Sequence, residues 1–156
     1  MRGLLFLLPA ALVAATLAAA TAAAPVPNGA ALYARCAACH TATGKGVPGT
    51  YPPLGIDFRK LATKSAGRRY LVLAVTRGVS GPITVEGKPY RSVMPAQAGM
   101  DDAAVAAVLN HIGSAIAKTG PAFRPFTAPE VATARATGTA LSGSDVARLH
   151  AAVGGG

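Results

Sequence analysis

Both cysteines of the chain lie in one pentapeptide, Cys-Ala-Ala-Cys-His, at residues 36–40. Cys36 and Cys39 have the spacing of one helical turn, and His40 follows directly. Random placement of two cysteines and three histidines in 156 residues would give this arrangement roughly once in four thousand sequences, so the pattern indicates a site rather than chance. Four kinds of site use such a pair: a disulfide, a redox dithiol, a metal site and an attachment site for haem.

These alternatives differ in what else the sequence must supply. A redox dithiol is expected at the N-terminus of a helix in a βαβ unit, whereas this pair ends a predicted helix. A structural zinc site needs four ligands, and His111 and His150 do not form a second pair. Haem attachment needs two thiols on one helical turn and an adjacent histidine that reaches the iron. The pentapeptide meets this requirement and predicts one covalently attached haem c.

Residues 1–24 have the layout of a secretory signal peptide. Arg2 precedes an uncharged apolar run over 3–20, and small residues then offer cleavage sites, with Ala22 or a close neighbour favoured as the last residue removed. A retained membrane anchor is the alternative, because the run is nearly long enough to span a bilayer. Export would bring the chain to the periplasm, where haem is attached to such motifs.

The composition is basic, with a net charge of +9 and a pI near 10.3. Such a surface favours an acidic partner or an anionic surface. The basic residues are dispersed and are not interleaved with aromatic residues, so nucleic-acid binding is not expected. Beyond the leader, no segment is long and apolar enough to cross a membrane, so stable membrane insertion of the mature chain is not expected either.

The first half of the mature chain is predicted to form three helices and one long loop. A helix is predicted over 29–39 with Asn28 as its N-cap, and a loop rich in Gly and Pro follows over 41–55. A short helix is predicted after Asp57. A longer helix is predicted over 66–77, where apolar residues form a stripe.

The second half contains a predicted hairpin and the clearest helix. Residues 81–92 alternate around a turn and predict two short strands. Residues 101–118 place apolar side chains at helical spacing behind an N-cap, Asp101, and predict one amphipathic helix. In the tail, Thr-Ala-Pro-Glu at 127–130 and Ser-Gly-Ser-Asp at 142–145 each predict the start of a short helix.

These segments resemble small class I c-type cytochromes over most of residues 28–118. The matching segments are the first helix at 29–40, the Pro-x-Leu segment at 51–55, the axial-methionine loop at 78–100 and the C-terminal helix at 101–112. The resemblance implies an all-α cytochrome c fold, a small helical domain around one covalent haem whose iron is held by His and Met. It also implies the transfer of single electrons rather than enzymatic chemistry.

The chain therefore divides into three predicted parts. Residues 1–24 are the signal peptide, residues 25–118 the cytochrome c domain and residues 119–156 a C-terminal helical extension. The extension is expected either to dock a partner or to cap the core.

An iron held by the histidine of the pentapeptide needs a ligand on its other face, and a soft thioether suits electron transfer. Met94 lies in a loop, and Pro95 restricts its backbone to an extended shape. Met100 directly precedes the predicted cap, Asp101, where a packing role is expected. The resemblance also implies the ligand at the Met-Pro position, so Met94 is the predicted axial ligand. His111 is the remaining candidate, although packing in the last helix is expected of it.

The resemblance further implies an acceptor for the proton of His40. The matching position is Pro52, whose carbonyl would accept from Nδ1 of the imidazole, while Leu54 would pack on the haem face. His150, in the tail, is expected to be exposed. Four residues are candidates for hydrogen bonds to the haem propionates: Tyr51, Arg59, Tyr90 and Arg91.

The predicted function is that of a periplasmic monohaem electron carrier. Its expected partners are redox proteins, a dehydrogenase as donor and an oxidase or another carrier as acceptor. One alternative is a cytochrome subunit of a periplasmic dehydrogenase complex. Another is a haem enzyme with an open sixth iron site, which a methionine ligand argues against. A gas-binding bundle is disfavoured because the haem motif of such bundles lies near the C-terminus, whereas the motif of this chain lies near the N-terminus.

Overall fold

A computed structural model describes residues 25–156, so the predicted signal peptide at 1–24 lies outside the described residues. Within them, no helix has both the length and the apolar character needed to cross a membrane. The described chain is mainly helical. Its elements are α1 Gly29–His40, α2 Ile56–Leu61, α3 Ser65–Arg77, β1 Ile83–Val85, β2 Lys88–Tyr90, α4 Asp102–His111, α5 Ala128–Ala136 and α6 Gly143–Ala152.

Side-chain caps fix the starts of α1, α4 and α6 where the sequence predicts them, whereas α2 and α3 begin without a side-chain cap. The Asn28 side chain accepts from two backbone amides of α1, and Asp101 accepts from the amide of Ala104 at 2.7 Å. Ser142 and Asp145 form a reciprocal capping box at the start of α6. These bonds satisfy amides that have no partner within the first turn of a helix.

The hairpin forms as predicted, with Ile83 opposite Tyr90 and Val85 opposite Lys88. Its turn is Glu86-Gly87, and both residues have positive φ, 51° and 73°. Two such residues match the right-handed twist of the flanking strands.

The helix predicted over 101–118 is wrong in its last part. The α-helical pattern ends at His111, and Ile112–Ile116 form a π-helix in which the Ala117 amide bonds to the Ile112 carbonyl at 2.7 Å. The Arg59 guanidinium donates to the carbonyls of Gly113 and Ala117, at 3.0 and 2.8 Å. A side chain from α2 therefore stabilises the wider turn. The spacing of apolar residues within 101–118 could not predict this contact, because its donor lies elsewhere in the chain.

Residues 119–156 contribute to the core. Helix α5 packs on α3 and α4, and α6 packs on α3 and β1. Val131 of α5 and Val146 of α6 are completely buried. The extension thus shares one hydrophobic core with the preceding helices and contributes His150 to the wall of the cavity described next.

Candidate functional site

The pentapeptide occupies the C-terminal end of α1 and opens into a deep, mostly apolar cavity. Cys36 and Cys39 are half-buried free thiols, and His40 is 7% exposed. All three line the cavity. Burial raises the pKa of the Cys36 thiol, an effect that Arg35 partly offsets. Both thiols thus face the cavity, and they are not joined by a disulfide.

The loop after α1 positions the acceptor for His40. The Gly46 amide bonds back to the His40 carbonyl at 2.9 Å, and the Leu54 amide bonds to the Gly44 carbonyl at 2.7 Å. These bonds bring the Pro52 carbonyl to 2.9 Å from Nδ1 of His40.

A carbonyl can only accept, so the proton of the His40 ring lies on Nδ1 and its Nε2 has a free lone pair. Burial lowers the pKa of His40, and the hydrogen bond to Pro52 opposes this in part. A neutral, oriented imidazole with a free Nε2 is the form that binds metals.

Met94 lies on another wall of the same cavity. Its backbone forms a two-bond bridge with Val79, both N–O distances being 2.9 Å. Gly78 precedes Val79 with φ of +77°, and a Cβ there would meet the Met94 carbonyl. Because only glycine combines this φ with so close an approach, Gly78 lets the end of α3 hold the methionine loop.

The two remaining ligand candidates lie elsewhere. Met100 is 6% exposed, belongs to the hydrophobic core and does not line the cavity. His111 is half-buried against the Tyr33 ring, with 5.4 Å between ring centroids, and it also does not line the cavity. Burial and Cys36 raise the pKa of Tyr33 to about 12, and its hydroxyl donates to the Thr41 carbonyl.

The rest of the cavity wall is mostly apolar. The space between the lining atoms is about 1210 Å³, including its open mouth, which suits a large flat cofactor. Two half-buried thiols, a neutral imidazole with a free nitrogen and a thioether converge on it. This donor set fits a covalently attached haem. The six predicted site residues all line this cavity: Cys36, Cys39, His40, Pro52, Leu54 and Met94.

The candidates for propionate contacts separate into two groups. Tyr51 and Tyr90 line the cavity, whereas Arg59 and Arg91 do not. Arg59 instead binds backbone carbonyls at the end of the π-helix and in the extension. Arg35, which sequence reasoning missed, lines the cavity and donates weakly to the Ala98 carbonyl at 3.4 Å.

The expectation that His150 is exposed is wrong. His150 is 2% exposed, lines the cavity and lies 2.9 Å from Asp57, which is 4% exposed. A signal was available in the sequence, because His150 follows the buried Val146 by four residues on α6 and shares its face. The partner of His150 could not be foreseen, since Asp57 lies on α2 and the pairing depends on the tertiary fold.

Two of the other kinds of site weighed for the pentapeptide, a disulfide and a metal site, can be compared with residues 25–156. The two cysteines do not form a disulfide. In this part of the chain, no group of three or more His, Cys, Asp and Glu side chains could hold a metal ion.

Comparison with known proteins agrees with the geometry. The family model described as cytochrome c matches residues 26–115. Two proteins named cytochrome c-552 are similar, one from Thermus thermophilus and one from a particular strain of the same species. Each is 45% identical over 111 residues, which cover 70% of this chain and 85% and 75% of those proteins. The chain belongs to the cytochrome c family and carries one covalently attached haem c.

Proposed function

We propose that this cytochrome is an exported monohaem carrier of single electrons, with a His/Met-ligated iron. Cys36 and Cys39 would form the thioether links, and His40 and Met94 would hold the iron. The observation that carries the proposal is the convergence of four donors from two distant segments on one enclosed cavity, with the proximal imidazole already oriented by Pro52.

The bound haem supplies an iron that accepts and returns one electron. The residues of this chain hold that group and set its surroundings. Pro52 keeps the proton of His40 on Nδ1, so that Nε2 stays available and the ring keeps one orientation. Met94 offers a soft neutral sulfur, which favours the reduced iron. Apolar side chains that include Leu54 and Leu71 line much of the cavity wall.

A sixth ligand from the chain also explains why we propose a carrier rather than an enzyme. Met94 on the distal side would close the iron to small molecules. A haem enzyme needs an open position with an acid–base group beside it.

Export and domain organisation belong to the same proposal. We infer that residues 1–24 are a signal peptide that directs the chain to the periplasm, because an early Arg2, an apolar run and small residues follow one another. We assign residues 25–118 to the cytochrome c domain and residues 119–156 to the extension. Mass spectrometry of the periplasmic fraction would show a chain that begins near Ala23; an intact leader in the membrane fraction would contradict export.

The partners are redox proteins, and we propose a dehydrogenase as donor and an oxidase or another carrier as acceptor. The high positive charge supports an acidic partner surface, since electrostatic attraction speeds encounters.

The test of the attachment site compares the wild type with the double variant Cys36→Ala/Cys39→Ala. Wild-type protein should retain haem on a denaturing gel and stain for peroxidase activity, because thioether bonds survive denaturation. The double variant should lose the stain. Met100→Leu is the matched control and should keep it. Recovery of a reducible bond between Cys36 and Cys39 in mature wild type would contradict the proposal.

A further inference from the structure

A second pocket lies between the start of α3 and helix α5, and it shares no lining residue with the haem cavity. The space between its lining atoms is about 660 Å³, including the open mouth, which suits a small ligand. Basic and hydroxyl side chains form most of its wall: Ser65, Arg68, Arg69, Arg124, Glu130, Thr133, Ala134 and Thr137. The pocket thus contains three guanidinium groups and one carboxylate, an excess of positive charge.

Arg68 and Glu130 neutralise each other. Arg68 donates to both oxygens of Glu130, at 2.5 and 2.7 Å, and its other N–H groups donate to backbone carbonyls. Arg68 is only 3% exposed. This pair has neither charge nor donors to offer a ligand, so the excess positive charge belongs to Arg69 and Arg124.

Arg69 is held in one orientation with one end of its guanidinium unused. Its Nε donates to the Thr137 hydroxyl at 2.8 Å, and its Nη2 donates to the Thr137 carbonyl at 2.9 Å. Among residues 25–156, no acceptor bonds to Nη1 of Arg69. Because Thr137 is uncharged, these bonds orient the guanidinium without neutralising it.

Arg124 supplies the second positive charge. Its side chain is 65% exposed, and it contacts the Glu130 carboxylate at 3.3 Å, although Arg68 already occupies both oxygens of that carboxylate. Such an exposed ion pair contributes little free energy. Arg124 can therefore turn towards an anion in the pocket at small cost.

The start of α3 adds a potential of the same sign. This helix has 13 residues and begins at Ser65, which lines the pocket, without a side-chain cap. The N-terminal end of a helix carries a partial positive charge. An anion in the pocket would thus lie near two guanidinium groups and beside the positive end of a helix.

We propose that this pocket binds a phosphate group, either free in solution or in the headgroup of an anionic lipid. The oxygens of a phosphate point outwards in a tetrahedron, so it can accept from two guanidinium groups at once. A carboxylate is planar and is satisfied by one guanidinium, as Glu130 is by Arg68. The site goes beyond electron transfer, because a ligand bound here would cover no residue of the haem cavity.

The experiment titrates inorganic phosphate into the full-length holoprotein at low ionic strength and measures the heat of binding. Arg69→Gln should weaken this binding about tenfold, since hydrogen bonds between charged groups contribute strongly. Arg148→Gln is the matched control, because Arg148 is an exposed arginine outside the pocket, and it should bind phosphate as wild type does. Succinate, a dicarboxylate, should bind more weakly than phosphate.

A second arm separates the two sources of phosphate. The holoprotein is sedimented with vesicles of phosphatidylglycerol or of phosphatidylcholine, whose headgroup has no net charge. A headgroup ligand predicts sedimentation with phosphatidylglycerol alone, reduced in Arg69→Gln and retained in Arg148→Gln. A free phosphate ligand predicts equal sedimentation of the two variants, together with the difference between them in the calorimetric titration.

NMR of the wild type covers the case in which Arg69→Gln does not fold. In the reduced holoprotein, phosphate should shift the amide signals of Ser65, Thr133 and Thr137 to saturation. Equal behaviour of the two variants in both arms, succinate binding as tight as that of phosphate, or shifts confined to residues outside the pocket would each overturn the proposal. The haem spectrum of the same samples reports haem attachment and ligation separately, so a failure of the proposed function would be seen there.

Discussion

Met94 and Met100 are the two methionines of the described chain, and their surroundings assign them different roles. Met94 is half-buried on the cavity wall, with its backbone bridged to Val79. Met100 is enclosed in the core, directly before the cap of α4. A thioether can reach a cavity only from the wall, so the two residues offer a matched pair of substitutions.

Met94→Ala should leave the haem attached, because the thioether links and His40 are untouched. It should abolish the sulfur-to-iron charge-transfer band of the oxidised protein and lower the midpoint potential, since the soft ligand is lost. Added small ligands should then reach the iron. Optical titration with such a ligand and a redox titration measure both effects.

Met100→Leu is the control for that experiment. Its volume and shape are similar, so it should cost less than about 1.5 kcal/mol of stability and leave the spectrum unchanged. If Met100→Leu removed the band and Met94→Ala preserved it, the ligand assignment would be wrong. If neither affected it, His111 would become the candidate.

At the scale of single residues, contacts between residues close in the sequence could be predicted, whereas contacts between distant residues could not. The pentapeptide and its predicted acceptor, Pro52, lie together because a short loop leads from one to the other. His150 was placed wrongly because its burial depends on Asp57, which is distant in the chain. Arg59 was considered for the cofactor, yet it binds carbonyls of a π-helix that periodicity did not indicate.

At the scale of elements, helix starts could be predicted and helix ends less well. A start depends on one side chain and amides within three residues, as at Asn28 and Ser142. The Thr127 cap shows the limit of such reasoning. The Thr127 hydroxyl accepts from the Glu130 amide. A capping box would also need the Glu130 carboxylate to accept from the Thr127 amide, but this carboxylate accepts from Arg68 instead.

Helices α1 and α4 lie close together at Gly29. A Cβ on Gly29 would overlap the Ala107 carbonyl oxygen, and the φ of Gly29 is one that other residues adopt. Gly29→Ala should therefore destabilise the protein by steric overlap alone, by about 3 kcal/mol. Urea unfolding of the holoprotein measures this cost.

Gly49→Ala separates steric overlap from backbone strain. Gly49 has a φ of +75° and no atom within 4 Å of its Cβ position. Its substitution should cost only the strain of a left-handed residue, about 1 kcal/mol. Equal costs for the two variants would show that α1 and α4 can separate without loss of stability.

At the scale of the whole molecule, two arginines of α3 tie the extension to the rest of the fold. Arg68, only 3% exposed, donates to the carbonyls of Arg124 and Pro125 and to the Glu130 carboxylate, and it stacks 3.7 Å from the centre of the Phe126 ring. Arg77 donates to the Leu141 carbonyl farther along. These bonds and the shared core support a capping role for residues 119–156, which the sequence had left open beside docking.

The hydrogen bonds from Arg68 hold the pKa of Glu130 below its ordinary value. A carboxyl with a lowered pKa in the folded state stabilises the protein above its ordinary value, near 4.3, and the stabilisation disappears as the pH falls through the lowered value. Glu130→Gln should therefore reduce the free energy of unfolding by about 2 kcal/mol at pH 7, because a charged partner of the buried Arg68 is lost.

Urea unfolding of holoprotein at pH 7 and at about pH 3 tests this tie between the extension and the core. The difference between wild type and Glu130→Gln should shrink in acid, since protonation makes Glu130 resemble Gln. Arg148→Ala, which breaks an exposed ion pair with Asp145, should have almost no effect at either pH. A difference that stays constant or grows as the pH falls would show that Glu130 does not stabilise the extension through its charge.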